Sequence, residues 1–125
     1  MSAFSEIKIL VVDDDKDMCT SLKDILSLVK GTKVRYSISP KKSLVLIKKT
    51  DFDIIFVDYK MPKMNGIELI EKILEIKPNT YIFMLTAFIS STLIKKAQNA
   101  GAKKVLSKFI WPDELIKIIE SYQNK

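Results

Sequence analysis

Five short apolar runs alternate along the chain with five stretches whose apolar residues recur every three or four positions. Ile7-Lys8-Ile9-Leu10-Val11-Val12 reads as a first strand that runs into Asp13-Asp14-Asp15. Met18, Leu22, Ile25, Leu26 and Val29 follow at helical spacing. Asp17 suits the positive end of that helix, and Gly31 is expected to stop it. Thr32 to Ser37 alternates polar and apolar residues, as a strand at a sheet edge does. Ser39-Pro40 is a cap and first-turn pair opening a second helix with Leu44, Val45 and Ile47 inward.

Ile54-Ile55-Phe56-Val57 is a continuous apolar run that ends in one carboxylate, Asp58. Such a run marks a strand buried on both faces. Met61-Pro62 forces an extended turn, and Asn65-Gly66 is a second turn or the N-cap of the next helix. That third helix runs from Gly66 to Ile76, with Pro78 closing it off. Tyr81 to Leu85 is a fourth strand reaching Thr86, and Ser90 or Ser91 caps a fourth helix that Gly101 stops. Lys104-Val105-Leu106 is a short fifth strand before Ser107-Lys108, and Pro112 opens a last helix carrying Leu115, Ile116, Ile118, Ile119 and Tyr122. Strict alternation of this kind implies right-handed crossovers and a parallel sheet covered on both faces. The expected fold is α/β, a doubly wound five-stranded parallel sheet with five helices, in a single domain over 1–125.

Composition changes this picture little. At 125 residues, with 47% apolar and 29% charged residues, the chain is an ordinary globular domain. Charge breaks every long apolar run, so no membrane span is expected. The segment Met1 to Glu6 has no basic region followed by an apolar core, so no signal peptide is expected. Cys19 is the only cysteine and cannot form an internal disulfide, which suits a reducing cytoplasm. The net charge of +6 raises the question of nucleic acid. The lysines, however, are scattered in pairs such as Lys41-Lys42 and Lys103-Lys104, with only Arg35 and Tyr36 as a stacking platform. A solvated basic surface, without direct nucleic-acid binding, is the reading. The chain has no histidine, which excludes a Ser-His or Cys-His pair, a histidine metal site and a phosphohistidine of its own.

Chemistry concentrates at one end of the strands. Asp13 and Asp14 end strand one, Asp58 strand three, Thr86 strand four and Lys108 strand five. Singly, each has an ordinary reading: helix cap, turn aspartate, strand-end threonine, surface lysine. In a parallel sheet, however, these ends lie along one edge, where open α/β sheets place their ligands. Three carboxylates there repel and raise one another's pKa. A hard divalent cation removes the conflict, and oxygen-only ligands favour Mg²⁺. Phosphoryl transfer needs a nucleophile, a metal and charge neutralisation. Asp58 is the expected nucleophile, with Lys108 and Thr86 on the phosphoryl oxygens.

Val11-Val12-Asp13-Asp14-Asp15, Phe56-Val57-Asp58, Met61-Pro62-Lys63-Met64-Asn65-Gly66, Leu85-Thr86-Ala87, Ala100-Gly101-Ala102 and Lys108 occur in an order and spacing that resemble a known family. The chain resembles the receiver domain of two-component response regulators over essentially its whole length. The resemblance implies a flavodoxin-like (βα)5 fold and a phosphorylation-dependent switch. It implies that Asp58 accepts a phosphoryl group from a histidine kinase or histidine phosphotransfer protein, the chain catalysing its own phosphorylation and slow autodephosphorylation. It implies Mg²⁺ held by Asp14, Asp58 and the backbone carbonyl of Lys60, with Asp13 acting through water. Thr86 and the Ala87 amide would bind the phosphoryl group, and Lys108 would pair with it. The implied output is a downstream protein or a fused output domain, so the chain is a stand-alone receiver or a piece of a longer protein. The face of helix four, strand five and helix five would serve partner binding or homodimerisation.

Three departures from the family pattern stand out. Lys108 is followed by Phe109 rather than proline, so a bond that is often cis in the family is either a strained cis or a trans that re-aims Lys108. Val105 replaces the usual switch aromatic, leaving Phe88 or Phe109 as substitutes. Lys60 puts a cation two residues past the acceptor, where it is expected to interfere with the attacking water. Trp111 and Phe109 read equally as exposed anchors and as core. Two rivals remain open: a phosphorylation-independent docking module, and a haloacid-dehalogenase-like phosphatase with Asp13 as nucleophile. The phosphatase lacks an acidic pair downstream of the lysine, since Asp113 and Glu114 fall within the last helix.

Overall fold

The computed structural model describes residues 6–124; the segment 1–5, read above for a leader, lies outside them. Five strands and five helices alternate: β1 Ile7–Val12, α1 Lys16–Leu26, β2 Thr32–Ser37, α2 Pro40–Lys49, β3 Ile54–Asp58, α3 Gly66–Ile76, β4 Tyr81–Thr86, α4 Ser91–Ala100, β5 Lys104–Ser107 and α5 Pro112–Gln123. All neighbouring strands are parallel, in the order β2-β1-β3-β4-β5. The polar-alternating strand is therefore an edge, and the wholly apolar β3 is the centre.

The two-residue period of the strands divides the core in two. Leu10, Val12, Ile55, Val57, Ile82 and Met84 face one side, where they meet Ile47 of α2, Leu69, Ile70 and Ile73 of α3, and Leu93 and Ala97 of α4. Ile9, Val11, Ile54, Phe56, Phe83 and Leu85 face the other, against Cys19, Leu22 and Leu26 of α1 and Leu115 and Ile119 of α5. Every residue of β3 is buried. That double burial fixes register, because a one-residue slip would exchange the two faces.

Local chemistry sets the helix ends. Asp15, Ser39, Asn65 and Ser90 each cap a helix by accepting backbone N–H bonds. Asn65 belongs to a capping box with Glu68, so Asn65-Gly66 is a helix start and not a free turn. Gly101 ends α4 with φ 114°, where the Cβ of any other residue would sit 2.2 Å from Leu74 Cδ1. Two expectations fail. Gly31 does not stop α1, which ends at Leu26 with Ser27 as its C-cap. Thr32 Oγ1 donates to the Leu26 and Val29 carbonyls, satisfying them outside the helix, and Gly31 (φ 86°) turns the chain into β2. Val45 is not inward but 52% exposed. The α2 face that packs inward carries Ser43 and Ile47, with Leu44 half-buried at its margin.

Candidate functional site

The carboxyl ends of β1 and β3 are neighbours in the sheet, so Asp13 and Asp58 meet without any loop having to carry them. Asp58 is 2% exposed and Asp13 fully buried, whereas Asp14 points to solvent. One carboxylate oxygen from each of the three lies within 4.8 Å of the other two. Lys108, reaching in from the turn after β5, puts Nζ 3.0 Å from Asp58 Oδ1 and 3.1 Å from Asp13 Oδ2. The Asp13 Oδ2 contact is an ion pair, and beyond it neither that oxygen nor Asp58 Oδ2, both buried, has a hydrogen-bond partner.

Two buried acids beside one lysine are not balanced. Burial pushes the Asp58 carboxyl from 3.8 up to about 6; Lys108 opposes this and the charge on Asp13 adds to it. Burial pulls the Lys108 ammonium down, but Asp58 and Asp13 outweigh it and hold its pKa above the ordinary value. With Asp58 Oδ2 unpartnered and Asp13 Oδ2 served only by the ammonium it shares with Asp58, the arrangement can receive a hard cation, since carboxylate oxygens are the donors such ions take.

The loop after β3 is built around the acceptor's backbone. Gly66 N donates to Tyr59 O at 2.7 Å, and Tyr59 N to Leu85 O at 2.9 Å. A Cβ on Gly66 would lie 2.5 Å from Asp58 O and 2.9 Å from Tyr59 Cα, so α3 starts hard against the acceptor because residue 66 has no side chain. Met61 is buried, Lys63 adopts φ 69°, and the Lys60 side chain is exposed.

Thr86 ends β4 beside Ser107, and Lys108 N donates to Thr86 O at 2.9 Å. Its hydroxyl does not join the acidic cluster. Instead it donates to Phe88 O and accepts from Phe88 N, both at 3.3 Å. Ala87, next in the chain, is exposed. No cis peptide bond occurs among the described residues, so Lys108–Phe109 is trans and Lys108 still reaches both acids. Bonds from Phe109 N to Ser107 Oγ (3.0 Å) and Ile110 N to Ser107 O (3.1 Å) hold this turn. Phe88, Phe109 and Trp111 are 86%, 79% and 73% exposed, so Phe109 and Trp111 are not core. Val105 is half-buried against the α2–α3–α4 side of the sheet.

The structure thus gathers Asp13, Asp14, Asp58 and Lys108, and leaves the Thr86 hydroxyl and Lys60 side chain outside that cluster. Sequence reasoning missed Cys19, whose thiol donates to Asp13 O at 3.2 Å beneath the site. Burial and the charge of Asp13 push that thiol up to about 11, so it stays protonated. Its place on the inward face of α1 was the available signal. It also missed the Phe88 backbone as the partner of Thr86, for which the sequence holds no signal.

No helix among the described residues is long and apolar enough to cross a membrane. Residues 9–120 match the response regulator receiver domain. Chemotaxis protein CheY of Thermotoga maritima is 30% identical over 112 residues, 90% of this chain and 93% of that protein. Response regulator UvrY of Escherichia coli is 33% identical over 116 residues, 92% of this chain but 53% of UvrY. The chain thus spans nearly all of the first relative and about half of the second. A CheY-like receiver domain from Methanospirillum hungatei superposes with a TM-score of 0.88 at 31% identity, covering 96% of this chain and 95% of that one. The chain belongs to the response regulator receiver domain family of two-component systems.

Proposed function

We propose that Asp58 accepts a phosphoryl group from a histidine-phosphorylated donor protein and that the product switches protein binding. The observation that supports this most is the buried Asp58 carboxylate, paired to Lys108 at 3.0 Å and crowded by Asp13 and Asp14. In the transfer an Asp58 oxygen attacks phosphorus; a P–O bond forms, the donor's P–N bond breaks, and its electron pair leaves with the imidazole, which takes up a proton. The donor histidine lies outside these 125 residues, which contain none.

Mg²⁺ fits the donor set, since Asp13 Oδ2 and Asp58 Oδ2 are buried acceptors with no hydrogen-bond partner beyond the ion pair of Asp13 with Lys108. Asp14, Asp58 and the Lys60 carbonyl would hold the ion and Asp13 would act through water. Bound there, it would neutralise charge that builds on the phosphoryl oxygens. Lys108 already sits where it would pair with the same oxygens. The Thr86 hydroxyl and Ala87 amide would complete the cradle; the two Thr86–Phe88 bonds are long for hydroxyl bonds, so releasing them costs little.

The output face would be α4, β5 and α5, acting on a downstream protein, a fused output domain or a second copy, in the cytoplasm that a free Cys19 suits. One observation favours a second reading, a docking module that works without phosphorylation: Phe109 and Trp111 stand exposed with no switch needed to uncover them. Beryllofluoride with Mg²⁺ separates the two. Amide shifts at Asp58, Thr86, Ala87 and Lys108 on titration support the switch; an unchanged spectrum supports docking alone.

A further inference from the structure

Along the sequence Lys103-Lys104 is one lysine pair among several, but the fold brings Lys117 to it around one aromatic groove. Tyr81 opens β4 and Lys104 opens β5, at the end of the sheet opposite Asp58. From Tyr81 to Thr86 is five strand steps, roughly 16 Å, so this groove is separate from the acidic site. Its volume is about 480 Å³, within the range of small-ligand clefts. Phe83, 5% exposed, and half-buried Ile118 of α5 supply apolar floor. Tyr81 and Tyr122 form one wall, their rings edge to face at 5.0 Å and 78°. Lys103, Lys104 and Lys117 stand on the rim, all exposed, with Lys103 Nζ 4.9 Å from the Tyr81 ring centroid.

No acidic side chain lines the groove, and Asp53, the carboxylate that acts on the Tyr122 hydroxyl of its wall, lies outside it. Among the described residues, none of these three ammonium groups has a carboxylate partner. A merely solvated lysine patch would have no preference for a ring, and an apolar cleft none for charge. Here both chemistries share one concavity. We propose that this groove binds a small aromatic anion: a flat ring laid on Phe83, Ile118 and Tyr122, with its phosphate or carboxylate held by Lys103, Lys104 and Lys117. Ring contact supplies area and edge-to-face attraction, while three lysines without carboxylate partners, Lys103 lying over the Tyr81 ring, raise local anion concentration. Binding there leaves Asp58 accessible.

Amide and side-chain NMR of the full chain at physiological ionic strength tests this, with adenosine monophosphate and p-hydroxybenzoate as probes. Adenosine, inorganic phosphate and acetate serve as controls. The expected result is saturable shifts at Tyr81, Lys104, Lys117 and Tyr122 with at least one probe. The controls should bind roughly tenfold more weakly or worse. A Lys104→Glu/Lys117→Glu double variant should weaken the probe by at least roughly tenfold. Lys104→Gln/Lys117→Gln, which removes charge without reversing it, should weaken it less, and both should keep the wild-type melting profile. The proposal is overturned if neither probe saturates, if phosphate or acetate alone binds as well, or if the charge-reversed chain binds normally.

Discussion

Replacing Asp58 by asparagine should stabilise the metal-free protein at neutral pH. Ordinarily, removing a buried ion-paired charge destabilises, because it strands the partner. Lys108 here is not stranded, since Asp13 Oδ2 lies 3.1 Å from the same ammonium. The raised Asp58 pKa already nets burial and Asp13 against Lys108, and burial prevails. A rise from 3.8 to about 6 corresponds, at about 1.4 kcal/mol per unit, to about 3 kcal/mol. Water at the mouth of the site screens part of that, leaving about 1–3 kcal/mol of relief. For a domain of this size the melting temperature should climb by roughly 3–12 °C.

The pH dependence has a fixed sign. Because the folded pKa lies above the unfolded one, the folded chain holds this proton more tightly. Its contribution is fully present below about pH 4 and is lost as pH rises through about 6. Wild type and Asp58→Asn should therefore converge near pH 4 and separate towards pH 7. Thermal or urea unfolding of both at several pH values with chelator is the assay. Saturating Mg²⁺ should then raise wild type more than the variant, since an ion that binds only the folded state stabilises it. A variant less stable than wild type at pH 7, or a gap that widens towards pH 4, would refute the electrostatic reasoning.

Other substitutions probe separate parts of the site. Gly66→Ala drives a Cβ to 2.5 Å from Asp58 O, so it should cost about 1–3 kcal/mol and slow phosphorylation by a small phosphodonor; unchanged unfolding would contradict the packing described. Lys60→Ala should speed loss of the phosphoryl group by roughly fivefold, about 1 kcal/mol, and an unchanged dephosphorylation rate would remove Lys60 from the hydrolytic step. Phe109→Ala/Trp111→Ala should shift stability by less than about 0.5 kcal/mol, because both rings are mostly exposed. It should leave the rate with acetyl phosphate intact and lower that with a histidine-phosphorylated protein; equal loss with both donors would make the rings part of the chemistry.

Much of this was legible in the sequence because the governing physics is local. Ile54 to Val57, short and mostly β-branched, reads as a doubly buried strand, and a strand buried on both faces in a chain of alternating elements sits mid-sheet. Once the sheet is parallel, Asp13, Asp58 and Lys108 converge by topology, and no side-chain detail is needed. Helix starts at Ser39, Asn65 and Ser90 were readable because one side chain satisfies the orphan N–H groups. The end of α1 was not, since Thr32 reaches back across the turn to take carbonyls that Gly31 was expected to accommodate. Val45 and Leu44 are equally apolar, and only the packing angle of α2 decides which faces in. The groove at Tyr81 and Tyr122 escaped notice because its walls lie some 40 residues apart and its lysines come from two elements.

Mapping the covalent site of phosphorylation tests the central claim most directly. The full chain is incubated with acetyl phosphate and Mg²⁺, and the intact product is weighed at once by mass spectrometry. A second sample is reduced with borohydride, which displaces the phosphate and leaves homoserine at the modified aspartate for peptide sequencing. The account predicts one added phosphoryl group, on the peptide containing Asp58, absent with chelator and absent in Asp58→Asn. A phosphoryl group on Asp13, or none on wild type while Mg²⁺ is bound, would contradict it.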